Sequence, residues 1–400
     1  AAGDRIVKVG EKVIAGTKTP QDTMIRYMKG PAGTKVDILV NRDGEEVLFN
    51  ITRDKIPVHS IDVSFMIDET TGYVKLAKFS RTTYSEFVKA VDDLREQGMQ
   101  HLVFDLRGNS GGYFDQALRI SNEFLPRGAG VVYMEGLNRR REEYNADGRG
   151  TMNDLKLTVL IDESSASSSE IVAGAIQDND RGIVIGRRSY GKGLVQEPIY
   201  FTDGSGVRLT VARFHTPSGR CIQKPYENTE NYAADLIERY NRGEMMSADS
   251  IHFPDSLKCT TLKKGRTVYG GGGIMPDYFV PVDTTLYTDY HRQISYKGVL
   301  LKVHYQLIDA YRKDWNKKYK DYASFAQKFE LSDSMMQQLI DEATKAGITY
   351  NEEQYRKSES LLKLQLKALI ARDLWDMNEY YHTINVADES VKKALELLKE

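Results

Sequence analysis

Between about Ile61 and Asp283 the chain repeats one pattern, a short apolar strand followed by an amphipathic helical run. "HLVFDLR" precedes "FDQALRISNEFL", "LKLTVLID" precedes "SEIVAGAIQD", and "RGIVIGR" follows. This alternation predicts an α/β core, in which functional groups gather on the loops at the strand ends. Inside it, roughly 224–268 is polar, tyrosine-rich and aperiodic, and reads as a long insertion.

The flanks follow different patterns. From Ala1 to about Pro57 the residues spell a short strand over Arg5 to Val9, a helix over Gln21 to Met28, and a hairpin. The hairpin arms "KVDILV" and "EEVLFNITR" flank the turn signal "NRDG". After about Thr285, runs such as "ESLLKLQLKALIARDLW" and "ESVKKALELLKE" carry apolar residues at helical spacing. The expected organisation is therefore a small α+β module over 1–57, an α/β core over 58–284, and a helical region over 285–400.

A length of 400 residues fits two or three domains at roughly 100–200 residues each. Basic and acidic side chains nearly cancel, 55 against 57, so no global field favours nucleic acid, an anionic membrane or an acidic substrate. No apolar run approaches the ~20 residues needed to span a bilayer. The start "AAGDRIVKVG" has neither an initiator Met nor a signal-peptide pattern, so the expectation is a soluble fragment of a longer protein. Cys221 and Cys259 are too few for a disulfide scaffold and lack paired metal spacing; one bridge or two free thiols remain open.

Three core loops carry chemical groups. "DLRGNSGG", Asp105 to Gly112, ends a strand in a glycine-rich turn that exposes backbone N–H groups, and alone it fits any tight connection. "DESSASSSEIVAGAI" opens a helix with five serines in six positions, and Ser167 with Glu170 spells a capping box. A hydroxyl there also meets free amide donors and the positive helix end, which suits an oxyanion hole; each such donor is worth about 3 kcal/mol in a transition state. "GRRSYGKGLVQ", Gly186 to Gln196, fits the spacing of a nucleotide P-loop up to Lys192. The P-loop next requires Ser or Thr and a helix, and here Gly193 and strand-like residues follow.

A serine nucleophile needs a base. None of the seven histidines sits in a local motif, and a Ser-His-Asp triad is recognised by geometry, so that option stays open. A lysine is the other option, once desolvation disfavours its charged form. Lys192, between two glycines, is the candidate, with a solvated surface lysine as its alternative.

In this order and spacing the loops resemble the C-terminal processing proteases, also called tail-specific proteases. The resemblance spans "AGDRIVKVGEKVI", "MKGPAGTKVDILVNRDGEE", "VFDLRGNSGG", "VLIDESSASSSEIVAGAIQD", "GRRSYGKGLVQEP", "FHTPSGRCIQ" and "GGGGIMPD". It implies a Ser-Lys peptidase with a core similar to the ClpP and crotonase folds, and a PDZ-like module at 1–57. That module is partial, since the family's carboxylate-binding loop and peptide-binding strand precede "AGDRI". By the same resemblance Ser167 is the nucleophile and Lys192, 25 positions later, its base. Gln196 orients the amine, and the backbone N–H groups of Gly112 and Ser168 form the oxyanion hole. No metal, nucleotide or other cofactor is implied. Substrates would be the C-terminal tails of proteins, the location the bacterial periplasm or cell envelope, and the helical region a surface for homo-oligomerisation. A non-catalytic scaffold around a degenerate core is the competing expectation.

Overall fold

The computed structural model describes residues 4–42, 44–56, 59–225 and 229–400, with side chains omitted at 229–231 and 233. They form two compact units. One joins Ala1–Val58 to Thr284–Ile384, and the other joins His59–Asp283 to Asn385–Glu400.

In the first unit, strands β1 (Arg5–Val9), β2 (Lys12–Val13), β3 (Lys35–Arg42) and β4 (Glu45–Thr52) form an antiparallel sheet in the order β2-β1-β3-β4, with helix α1 (Gln21–Met28) between β2 and β3 in sequence. Asp43 of the "NRDG" turn lies outside the described residues. Strand β3 alternates, burying Val36, Ile38 and Val40 together with Val9 and Ile14, as one buried sheet face requires.

The second unit holds the alternating pattern. In chain order it contains β5 (Ile61–Met66), β6 (Thr71–Leu76), α2 (Thr83–Glu96), β7 (His101–Asp105), α3 (Phe114–Phe124), β8 (Gly130–Gly136), β9 (Arg139–Asn145) and β10 (Lys156–Ile161). There follow α4 (Ser168–Asp178), β11 (Ile183–Gly186), β12 (Leu194–Tyr200), β13 (Gly206–His215), α5 (Thr229–Asn241), β14 (Lys258–Thr260), β15 (Thr267–Tyr269) and β16 (Tyr278–Phe279). The main sheet runs β16-β11-β10-β7-β6-β5; all its pairings are parallel except β5 with β6. A second, antiparallel sheet runs β12-β13-β8-β9.

Helix α4 lies at the centre, and every one of its eleven residues is buried. Its middle, residues 171–176, is apolar on all sides, as a helix enclosed by a core requires, while the polar residues at its two ends are hydrogen-bonded. Its far end is fixed by a buried ion pair, Arg220 Nη2 donating to Asp178 Oδ1 at 2.5 Å and to Gln177 Oε1 at 2.7 Å. Arg220 thus explains why the "TPSGRCIQ" stretch sits where it does: a cation meets the negative end of the helix.

Helices α6 (Asp289–Tyr296), α7 (Val299–Lys318), α8 (Tyr322–Lys328), α9 (Asp333–Lys345), α10 (Glu352–Leu374) and α11 (Met377–Ile384) form the helical part of the first unit, around Leu307, Phe325, Leu339, Leu362 and Ile370. The final helix, α12 (Glu389–Lys399), leaves this helical stretch and packs on β7, β10 and β11 of the second unit. Its capping residue Asp388 accepts from Ser390 N and Val391 N, and also from Arg107 Nη1 at 2.7 Å. Periodicity specifies such a helix but not which core its apolar stripe enters.

Arg107 links α12 to a buried charge. Asp105, fully inaccessible at the end of β7, accepts from Arg107 Nη2 at 2.7 Å and Tyr73 Oη at 2.5 Å, with Lys75 Nζ at 3.6 Å. Burial alone would raise its carboxyl, but Arg107 and Lys75 hold it well below the usual carboxylate range. Because the folded state binds this proton more weakly than the unfolded chain, the contribution is complete above about pH 4 and is lost as pH falls below that. The melting temperature of wild type is expected to drop more steeply than that of Asp105→Asn on acidification through this range. Parallel acid limbs would exclude the assignment.

Candidate active site

The serine cluster is docked to the glycine-rich loop by hydrogen bonds that use nearly all of it. Ser165 Oγ donates to Leu106 O at 2.8 Å, Ser168 Oγ to Gly112 O at 3.1 Å, and Ser169 Oγ to Asn109 O at 2.9 Å. Asp162 ties the two segments further, accepting from Ser164 N and Gly108 N at 3.0 Å each. Ser167 is the one serine of 165–169 whose hydroxyl takes no part in this docking. It is half-buried and its backbone stands at φ 56°, ψ −112°. Among the described non-glycine residues only Asp180 shares a positive φ. Such a conformation costs about 1–3 kcal/mol and persists only where the surroundings enforce it.

The enforcing neighbour is the first loop. Gly111, at φ 97°, lies so close that a Cβ there would sit 2.8 Å from Ser167 Cβ and 3.0 Å from Ser168 N. Only glycine allows both that backbone and that approach. Asn109 holds the turn, donating to Leu76 O and accepting from Gly111 N. Next to Ser167, the N–H groups of Gly112 and Ser168 make no hydrogen bond to another described residue. Two free donors beside a hydroxyl can receive the negative charge of a tetrahedral intermediate.

The third loop reaches the same place through Glu170. This carboxylate is completely buried and accepts four bonds. Oε2 takes Ser167 N and Lys192 N, each at 2.8 Å, and Oε1 takes Gly191 N and Ser189 Oγ, each at 2.6 Å. Burial pushes its carboxyl upward, and the four donors oppose that push. Main-chain atoms of Ser167 and Lys192 thus share one oxygen, although 25 residues separate them in sequence. Gly191, at φ 86°, completes the turn where a Cβ would fall 3.0 Å from Lys224 Cβ.

Side chains are not equally converged. Lys192 is exposed, not buried as a lysine base requires, because the loop is anchored through its main chain and the side chain projects outward. No hydrogen bond joins Lys192 Nζ to Ser167 Oγ among the described residues. Gln196 lies exposed on β12 and donates to Thr210 Oγ1 of β13 at 3.4 Å, not to Lys192. The nucleotide alternative fails on two counts: β12 follows Lys192 where a P-loop continues as a helix, and the N–H groups of Gly191, Lys192 and Gly193 are already bonded to Glu170 and Gln223. No histidine is hydrogen-bonded to Ser167 among the described residues, and no group of three or more His, Cys, Asp or Glu there could hold a metal ion. Cys221 and Cys259 are free thiols.

Sequence reasoning placed Glu170 in a capping box and missed its second task, which is to receive the lysine loop. It also missed Asn109 and Arg220, for which only the "GN" and "GR" turn settings were available as signals.

Residues 70–230 match the model of peptidase family S41, and residues 290–376 match a family of unknown function (DUF8443). The chain is 35% identical over 222 residues to the carboxy-terminal processing protease CtpA of Bacillus subtilis (strain 168), covering 55% of this chain and 47% of that protein. It is 37% identical over 230 residues to the carboxy-terminal-processing protease of Bartonella bacilliformis (strain ATCC 35685 / KC583 / Herrer 020/F12,63), covering 56% and 52%. Among solved structures, the photosystem II D1 C-terminal processing protease matches with a TM-score of 0.42 at 25% identity, over 71% of this chain and 64% of that one. The chain spans about half the length of the curated relatives it matches.

Proposed function

We propose, from the match of residues 70–230 to the model of peptidase family S41, that this chain is a serine-type endopeptidase with Ser167 as nucleophile and Lys192 as general base. The observation that carries the proposal is the shared carboxylate: Glu170 fixes the backbones of both residues beside two unpaired N–H donors. In this mechanism Ser167 Oγ attacks the scissile carbonyl carbon while its proton passes to Lys192 Nζ. The carbonyl oxygen, now negative, is received by Gly112 N–H and Ser168 N–H. The C–N bond then breaks, and the departing amine takes the proton from Lys192. Water repeats the sequence on the acyl-enzyme, attacking the ester as Lys192 accepts its proton. Gln196 is assigned to orient the amine. Because Lys192 stands exposed here, its desolvation is assigned to the bound polypeptide, which covers the amine as it crosses residues 192–196.

The finer organisation proposed is a partial PDZ-like module over 1–57 and a core of the ClpP and crotonase type over 58–284, completed by α12. A helical region from 285 is the surface for self-association. Substrates are protein C-terminal tails, and the site of action is the bacterial envelope. The scaffold alternative has no observation in its favour.

Incubating an unfolded casein with wild type and with Ser167→Ala tests the core reading. Fragments are expected with wild type only; equal cleavage by both, or none by a verified folded wild type, would reject a protease.

A further inference from the structure

The insertion has no part in the chemistry described so far, yet it contains Arg239, more deeply buried than even the ion-paired Arg220. Helix α5 places Arg239 with 1% of its surface accessible. Its guanidinium does not point to a carboxylate alone. Nη2 donates to Arg188 O at 2.7 Å and Nη1 to Ser189 O at 3.0 Å, both main-chain atoms of the loop that carries Lys192. Nε faces Glu244 at 3.3 Å, and Glu244 also binds Arg188 at 2.6 Å and Arg242 at 2.9 Å.

The insertion's first residue repeats the pattern. Lys224 N donates to Gly191 O at 3.0 Å, while its ammonium sits between the rings of Tyr190 and Tyr232, 4.1 and 4.2 Å from their centroids, and pairs with Asp235 at 2.9 Å. The loop is thus held on two sides. Every N–H from Ser189 to Gly193 finds its acceptor in the core, on Ile274 O, Ser165 O, Glu170 or Gln223. The carbonyls of Arg188, Ser189 and Gly191 are taken by the insertion.

Burying a cation to bond neutral carbonyls is costly. Desolvation, with Arg188 nearby, pulls the guanidinium down to about 10, so it remains charged at neutral pH. A fork of rigid donors fits two successive carbonyls, which a point charge does not. We propose that Arg239 is a positioning residue: it locks the main chain of residues 188–192 so that Lys192 is delivered to Ser167. The proposal rests on the reading of Lys192 as the base, and it gives the insertion a role in turnover rather than in substrate capture.

The test uses the whole chain and fluorogenic unfolded casein, comparing wild type, Arg239→Met, Arg239→Lys, Ile237→Ser and Lys192→Met. Methionine removes the donors at similar volume and leaves Glu244 paired with Arg188 and Arg242. Arg239→Met is expected to lower kcat by about 100-fold with KM within about twofold, since misplacing a catalytic group by an ångström has that scale of effect. Arg239→Lys, able to reach one carbonyl, should fall between. Ile237→Ser, on the exposed face of the same helix, should match wild type. Amide hydrogen exchange should quicken at 188–193 in Arg239→Met while α4 stays protected.

Wild-type kcat in Arg239→Met, or a raised KM at unchanged kcat, overturns the proposal. If Arg239→Met does not fold, Arg239→Lys decides: lowered kcat at constant KM supports it, wild-type kcat overturns it. Lys192→Met at the wild-type rate would instead remove the underlying reading and this proposal with it. An inactive Lys192→Met beside a fully active Arg239→Met would remove this proposal alone.

Discussion

Lys192→Met and Ser167→Ala are each expected to reduce kcat/KM on unfolded casein by about 10⁴-fold or more, and the double variant no further. Residues that act as a unit lose nearly everything at the first removal, because the hydroxyl without its base is a weak nucleophile and the base without its hydroxyl has no proton to take. The proposed oxyanion donors, being main-chain N–H groups of Gly112 and Ser168, would survive both substitutions and set the residual rate. A Lys192 variant that keeps wild-type activity while one histidine variant dies would reassign the base.

Glu170→Gln is expected to cost about 2–5 kcal/mol of core stability together with about 100-fold in kcat. The amide is nearly the shape of the carboxylate but carries donors on one arm. If the NH2 turns toward Oε2's position, it faces the N–H groups of Ser167 and Lys192, and both lose their acceptor. If it turns toward Oε1's position, Ser189 Oγ can accept from it, but Gly191 N–H is orphaned. Each buried unpaired donor costs about 1–3 kcal/mol, and displacement of either backbone segment misaligns the reacting pair. Chemical denaturation followed on the core unit, alongside steady-state kinetics, measures both effects. Stability within about 0.5 kcal/mol of wild type with unchanged kcat would show that the carboxylate is not the junction described here.

What could be read in advance follows from how local each signal is. The βα alternation and the caps and glycine turns around Asp105–Gly112 and Ser167 are short-range patterns, and the structure repeats them. Strand β9, "RRREEYN", shows no apolar alternation because it lies exposed beside β8, so nothing marked it. Helix α5 was hidden for the opposite reason. One of its inward residues is Arg239, which any hydropathy pattern assigns to solvent. The Glu170 junction combines both cases. Its first half is a three-residue spacing within one helix start, whereas its second half arises only when β11 delivers residues 189–192 alongside. Burial of Lys192 was expected from the chemistry, and the structure leaves it exposed, because a loop tethered by its backbone places no demand on where a long side chain rests.

The ion pair between Arg107 and Asp388 spans 281 positions, and this bears on how the molecule is made. On a ribosome, chain leaves the exit tunnel N-terminus first, and segments begin to organise as they emerge. The main sheet is therefore finished in sequence long before the helix that covers β7, β10 and β11 exists. Throughout synthesis of the intervening hundred or so residues that surface is open, and loop-closure entropy adds to the delay in covering it. A nascent chain of this design would complete its own scaffold late, after the helical segment had already been translated.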